Sequence, residues 1–239
     1  MTGQEAVKLY NRRGQSRLQI GDYRGALGDF SRALALDPRC AEAYQNRGIT
    51  YRCRGELDNA LADFNRALRC AAPSEKFTSE VYYHRALTRL TRGDLSGALE
   101  DLDALIAHAP DRTEAYLLRG DVRARMKDLA GAIADFTAAL RLDPALDSAY
   151  IRRGNLRRER GDLAGALADY SAAILHCTSD ARAYLYRGQI RLEQGDLVAA
   201  LRDFEAYLQW GGGRVFGNEA EIEGRIAKLQ AAVAGHQQP

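Results

Sequence analysis

One string governs what this chain can fold into. Tyr-x-x-Arg-Gly recurs at Tyr10–Gly14, Tyr44–Gly48, Tyr116–Gly120, Tyr150–Gly154 and Tyr184–Gly188. A sixth copy, Tyr82–Ala86, carries Ala in place of Gly. The spacing is 34 residues except between the second and third copies, where it is 38. A second string, Gly-Asp-Leu-x-x-Ala-Leu-x-Asp-Phe or a close variant, follows each first one, as at Gly21–Phe30, Gly161–Tyr170 and Gly195–Phe204. Self-similarity at such a period means stacked units of supersecondary structure, each resting mainly on its neighbours. The six units run 7–40, 41–74, 79–112, 113–146, 147–180 and 181–214.

Each unit reads as two helices. In the fifth, Ala149 to Arg160 forms the first and Leu163 to Leu175 the second. Gly161 stops the first helix, since glycine adopts the left-handed conformation at such a stop, and Asp162 is placed to cap the second. Gly21, Gly55, Gly93 and Gly195 hold the same position, but the fourth unit has Lys127, which predicts a strained turn. Pro38, Pro110 and Pro144 lie just past second helices, where proline prevents continuation. Residues 1–6 form an N-terminal extension. Residues 215–234 read as a terminal helix with Asn218 and Glu221 as a capping box, and 235–239 as a disordered tail.

A 34-residue helix–turn–helix with this order of small and aromatic positions resembles the tetratricopeptide repeat. Gly154, Ala166 and Ala173 match that family's close-packing positions, and Tyr150 and Tyr170 its large ones. The resemblance covers residues 7–214. It implies an all-α, right-handed superhelical α-solenoid with first helices lining a concave face. The physics agrees independently, because one helix pair cannot bury its apolar face alone.

Two charged positions recur in all six units. Arg13, Arg47, Arg85, Arg119, Arg153 and Arg187 precede the small residue of the first helix; Asp29, Asp63, Asp101, Asp135, Asp169 and Asp203 occupy the second. In an antiparallel pair these fall at about the same height, which predicts a structural Arg–Asp ladder, the planar guanidinium suiting bidentate pairing. The competing reading is an arginine stripe for phosphate. Gly25, Gly97, Gly131 and Gly165, inside the first turns of second helices, cost about 1 kcal/mol each relative to Ala. Close approach by Arg17, Arg89, Arg123 and Arg157 is one explanation for them, and coding bias another.

If the implied geometry holds, a partner meets Asn11, Gln15, Gln45, Asn46, Ile49, Arg52, Tyr83, His84, Leu87, Leu117, Leu118, Asp121, Arg125, Arg152, Asn155 and Tyr186. The middle units carry more apolar residues here than a solvated face needs, which favours an extended peptide or a helix of a partner protein. Chaperone-binding members of the family resemble a two-carboxylate clamp; of its positions, here Asn11, Gln15, Asn46, Glu80 and His84, only Asn46 matches, and Glu80 reverses the charge. Two alternatives stand beside the adaptor reading: an RNA-binding helical repeat using Arg and Tyr in the groove, and solenoids stacking end to end. The link around Ala72–Thr78 is a four-residue insertion, read as a loop extension or as a partner contact through Phe77.

Other classes find little support. A net charge of +2 disfavours a nucleic-acid or membrane-surface binder. No signal segment or membrane span is visible. Cys40, Cys53, Cys70 and Cys177 form no CxxC pair, so free thiols in a reducing cytoplasm are expected. The four histidines show no metal spacing, and no phosphate loop or nucleophile elbow is present. The expectation is a non-enzymatic scaffold with no cofactor and a partner the residues do not identify.

Overall fold

The computed structural model describes residues 2–70 and 74–235. Its described residues are all-α, with no strand. The helices fall into two compact units divided between Met126 and Lys127. The first unit holds α1 (Gly3–Gln19), α2 (Tyr23–Leu36), α3 (Ala41–Cys53), α4 (Leu57–Cys70), α5 (Glu75–Arg92), α6 (Leu95–His108) and α7 (Thr113–Arg125). The second holds α8 (Leu129–Leu142), α9 (Asp147–Glu159), α10 (Leu163–His176), α11 (Ala181–Glu193), α12 (Leu197–Gln209), α13 (Gly212–Phe216) and α14 (Glu219–Gly235).

Within each unit consecutive helices pack on one another. α1 pairs with α2, α3 with α4 and α5 with α6, and each second helix also packs on the next first helix. The second unit repeats this with α9 and α10, then α11 and α12, and α12 is covered by α13 and α14. The turns explain themselves locally. Gly21, Gly55, Gly93, Gly161 and Gly195 all have positive φ, and Lys127 does so at 66°, the only such non-glycine residue among those described. After every such turn but the second an aspartate caps the second helix, Asp22, Asp94, Asp128 and Asp162 accepting from the amides of Gly25, Gly97, Gly131 and Gly165 and Asp196 from that of Ala199; the second repeat has Glu56 there.

Packing between the paired helices is set by one small-to-large contact. A Cβ on Gly14 would stand 2.6 Å from the Phe30 ring, and one on Gly154 2.8 Å from Tyr170. The third repeat breaks both sides of the rule together: Ala86 replaces the glycine and Leu102 the aromatic, and both are fully buried. The smaller partner leaves room for the added methyl, which keeps the interior filled.

The structure corrects the link after the second repeat. Helix α5 starts at Glu75, so the inserted residues add a helical turn rather than a loop, and Phe77 packs against the core cluster around Tyr44, Phe64 and Val81. Ala71 to Pro73 lie outside the described residues. Helix α1 begins at Gly3, with Thr2 and Glu5 forming a capping box. At the other end two helices follow the last repeat instead of one, and the Asn218 side chain accepts from the Tyr207 hydroxyl at 2.7 Å. Of the stretch 235–239, Gly235 closes α14 and the remaining residues lie outside those described.

Candidate protein-interaction site

The candidate face is a row of first helices. In the first unit α1 touches α3 and α3 touches α5, while Arg112, at the start of α7, reaches α5 by donating to Glu80 at 2.8 Å and lying over the Tyr83 ring at 4.5 Å. Helical periodicity turns one stripe of each of these helices toward the row.

The sequence-derived residues divide by depth along this row. Asn11 and Asn46 are buried: Asn46 donates to Asn11 at 3.1 Å, and Asn11 to Glu42 at 3.4 Å. Ile49 packs on the first core cluster, and Tyr83 and Leu118 on the second. Gln45, Leu87, Leu117 and Asp121 are half-buried on the face, and Gln15 and Arg125 are exposed. The structure therefore gathers Ile49, Arg52, Tyr83, His84, Leu87 and Leu117 on neighbouring helices, and withdraws the two asparagines into the α1–α3 contact.

His84 is the polar centre of this face. Its ring stacks on Phe64 with centroids 6.3 Å apart and meets Tyr83 edge-on. Burial lowers its pKa to about 4, helped by the positive charges of Arg52 and Arg112 and opposed by Glu80. The Nδ1 of His84 and the Nε of Arg52 are both buried without a hydrogen-bond partner among the described residues. Such groups cost about 1–3 kcal/mol each while unmet.

In the second unit the predicted residues turn largely inward. Asn155 accepts from the buried Tyr170 hydroxyl at 2.8 Å, and burial raises that hydroxyl's pKa to about 12. Tyr186 tilts against the Tyr170 ring, with Arg158 lying over it at 5.6 Å and donating to Gln189 at 2.9 Å. Arg152 is exposed.

The recurrent arginines and aspartates meet sixteen residues apart. Arg47 donates to Asp63 at 2.7 and 2.8 Å. Arg153 and Arg187 hold Asp169 and Asp203 in the same two-pronged way, and Arg13 and Arg85 hold Asp29 and Asp101. Arg119 and Asp135 belong to different units, and their pairing stays a proposal. The aspartates at these five rungs are buried. Two features escaped the sequence reading. A second arginine, one helical turn on, shares the carboxylate: Arg17, Arg89, Arg157 and Arg191 lie 2.8 to 3.0 Å from it. The first arginine also reaches back one repeat, from Arg47 to Ser31, Arg85 to Asn65, Arg119 to Asp103, Arg153 to Thr137 and Arg187 to Ser171, at 2.6 to 3.2 Å. The signal was present, since each of those acceptors directly follows the large apolar residue of its second helix.

The first-turn glycines are explained in part. A Cβ on Gly25 or Gly97 would meet the capping carboxylate at 2.1 or 2.3 Å and the crossing arginine at about 3 Å. Arg17, Arg89 and Arg157 donate to the carbonyls of Gly25, Gly97 and Gly165.

Family models decide the identity. One described as "Tetratricopeptide repeat" matches residues 11–75 and 83–147, more than half of the chain, and one described as "TPR repeat" matches 154–195. The chain belongs to the tetratricopeptide repeat family. Among solved tetratricopeptide structures it is similar to the C-terminal part of a TPR repeat-containing protein from Cytophaga hutchinsonii, with a TM-score of 0.81 at 15% identity over 93% of this chain and 88% of that one. It is similar to pilF of Pseudomonas aeruginosa, with a TM-score of 0.70 at 20% identity over 95% and 100%. It is also similar to YrrB, described as a TPR protein with an unusual peptide-binding site, with a TM-score of 0.65 at 21% identity over 77% and 96%. At these identities the likeness speaks for the fold alone. No curated protein matches the chain. Tetratricopeptide repeats act as protein-interaction scaffolds. Among the described residues no helix is long and apolar enough to cross a membrane.

Proposed function

We propose that the chain is an adaptor, not an enzyme, and that the face of α3, α5 and α7 takes up an extended segment or a helix of a partner protein. The observation that carries this is the juxtaposition on one face of half-buried apolar side chains, Leu87 and Leu117, with two buried polar atoms, Arg52 Nε and His84 Nδ1, that have no partner. A bound chain covers the apolar area and brings polar groups to a place where the fold leaves some unmet. The peptide-binding site ascribed to YrrB supports the class of ligand. The RNA reading is weakened because Arg158 and Tyr186, which it needs free, contact each other. The four free thiols suit a reducing cytoplasm, where we place the protein.

The test is capture from lysate by the wild type and by a Leu87→Glu/Leu117→Glu variant shown to be folded by circular dichroism. Leu118 is spared because it packs on the core. Overlapping peptides of any captured protein are then titrated against both forms by calorimetry. Binding of one peptide to the wild type, weakened at least about tenfold in the variant, upholds the face. Equal binding to both, or recovery of nucleic acid alone, overturns it.

A further inference from the structure

Arg52 and Arg158 occupy the same position of the repeat, and their surroundings differ. Arg158 donates to Gln189 at 2.9 Å and lies over the Tyr186 ring at 5.6 Å. At the positions of Gln189 and Tyr186 the third repeat carries Leu87 and His84. A leucine accepts no hydrogen bond, and Arg52 Nε is left buried without a partner among the described residues. No described carboxylate forms an ion pair with Arg52 either. An arginine Nε always carries its proton, so the missing partner is an acceptor. The charge around it narrows the choice. Arg52, Glu80 and Arg112 face the His84 ring. Arg112 pairs with Glu80 at 2.8 Å, which leaves Arg52 as the unmatched cation.

We propose that Arg52, beside His84, seats an acidic side chain of the bound partner segment, an aspartate or glutamate flanked by apolar residues that cover Leu87 and Leu117. This rests on the reading that the face of α3, α5 and α7 takes up such a segment. A neutral oxygen like that of Gln189 would meet the hydrogen bond alone. A carboxylate also balances the charge, and a bond between two charged groups is roughly twice as strong as a neutral one. Arg52 is half-buried and holds no other group, so its guanidinium turns toward the ligand without breaking a hydrogen bond. The acid lies within the segment and not at its end. Helix α3 touches α1 on one side and α5 on the other, so the row continues past Arg52 in both directions. The seat also differs from the two-carboxylate clamp, whose one matching position, Asn46, is buried against Asn11. His84 reports occupancy. A carboxylate on Arg52 offsets the positive charge beside the ring, so the pKa of His84, about 4 in the free chain, rises on binding.

The probes are three tripeptides: acetyl-Leu-Glu-Leu-amide, acetyl-Leu-Gln-Leu-amide, and acetyl-Leu-Gln-Leu with a free terminal carboxylate. Each is titrated into the full isotope-labelled chain, and NMR follows the Arg52 Nε–H, the His84 ring and the methyls of Leu87 and Leu117. The Glu peptide is expected to shift Arg52 saturably, to raise the His84 pKa, and to bind at least about tenfold more tightly than the other two. Its advantage is expected to shrink with salt and to vanish in Arg52→Gln, shown to be folded by circular dichroism. Four results overturn the proposal. The first is no saturable shift of Arg52 up to about 10 mM Glu peptide. The second is equal binding of the Glu and Gln amides, which makes the acceptor neutral. The third is tightest binding by the free-acid peptide, which makes it a chain end. The fourth is an advantage of the Glu peptide that survives Arg52→Gln. The methyls keep the two readings apart: if the Glu and Gln amides move Leu87 and Leu117 alike and leave Arg52 unmoved, the face stands and the seat falls.

Discussion

Arg153 grips the buried carboxylate of Asp169 through two parallel hydrogen bonds, 3.1 Å from Nε and 2.7 Å from Nη2. Arg157 approaches the same carboxylate at 2.8 Å. The aspartate is therefore the shared anchor of two arginines, and Arg153 carries the tie on to Thr137 in the preceding helix.

Removing the anchor strands two cations. Asp169→Ala is expected to destabilise the protein by about 3–5 kcal/mol, the usual cost of breaking a buried pair from one side. Asp103→Ala, at a half-exposed partner of Arg119, is expected to cost under about 1 kcal/mol. Urea unfolding of the two variants makes the comparison. A neutral Arg153→Ala/Asp169→Ala double variant would remove the structural reading of this rung.

The small-to-large contact predicts a rescue. Gly14→Ala is expected to cost about 1–3 kcal/mol by overpacking against Phe30. Combined with Phe30→Leu, which recreates the Ala86 and Leu102 pairing, the total cost should fall below the sum of the single costs by about 1 kcal/mol. Additive costs in a double-mutant cycle would refute the reciprocal fit.

Lys127 holds a left-handed conformation at φ 66°, which costs an L-residue about 1–2 kcal/mol. It is exposed, and its 3.4 Å contact with Glu159 is a surface ion pair worth little. Lys127→Gly is expected to raise the thermal midpoint by roughly 2–4 °C. A lowered midpoint in calorimetry would count against this.

His84 makes stability depend on pH in a defined window. Its pKa is 6.5 in the unfolded chain and about 4 in the folded one. Between those values the unfolded state binds the extra proton, so stability is full above pH 6.5 and falls as pH drops toward 4. The groups facing the ring are Arg52 on α3, Glu80 on α5 and Arg112 before α7. The loss is expected to reach up to about 3 kcal/mol, and His84→Leu should flatten it. Asp29 and Asp94, held below 3.8 chiefly by hydrogen bonds from Arg13 and the Gly97 amide, titrate under this window. Unfolding by urea at pH 7 and pH 4.5 separates the two cases, and an equal slope in the variant would exclude His84 as the source.

The sequence by itself determined the repeat register, the glycine stops, the aspartate caps and the alignment of Arg153 with Asp169. All of these arise within one 34-residue unit, where helical period and turn chemistry fix which residues come level. Only the tertiary structure decided what lies between neighbouring repeats. It sank Asn11 and Asn46 into a helix contact, turned the insertion before Tyr82 into an added turn of α5, and left His84 Nδ1 and Arg52 Nε without partners. Periodicity tells which face of a helix is apolar or charged. Whether a neighbour covers that face depends on the packing of helices brought together from different repeats, and no local pattern encodes it.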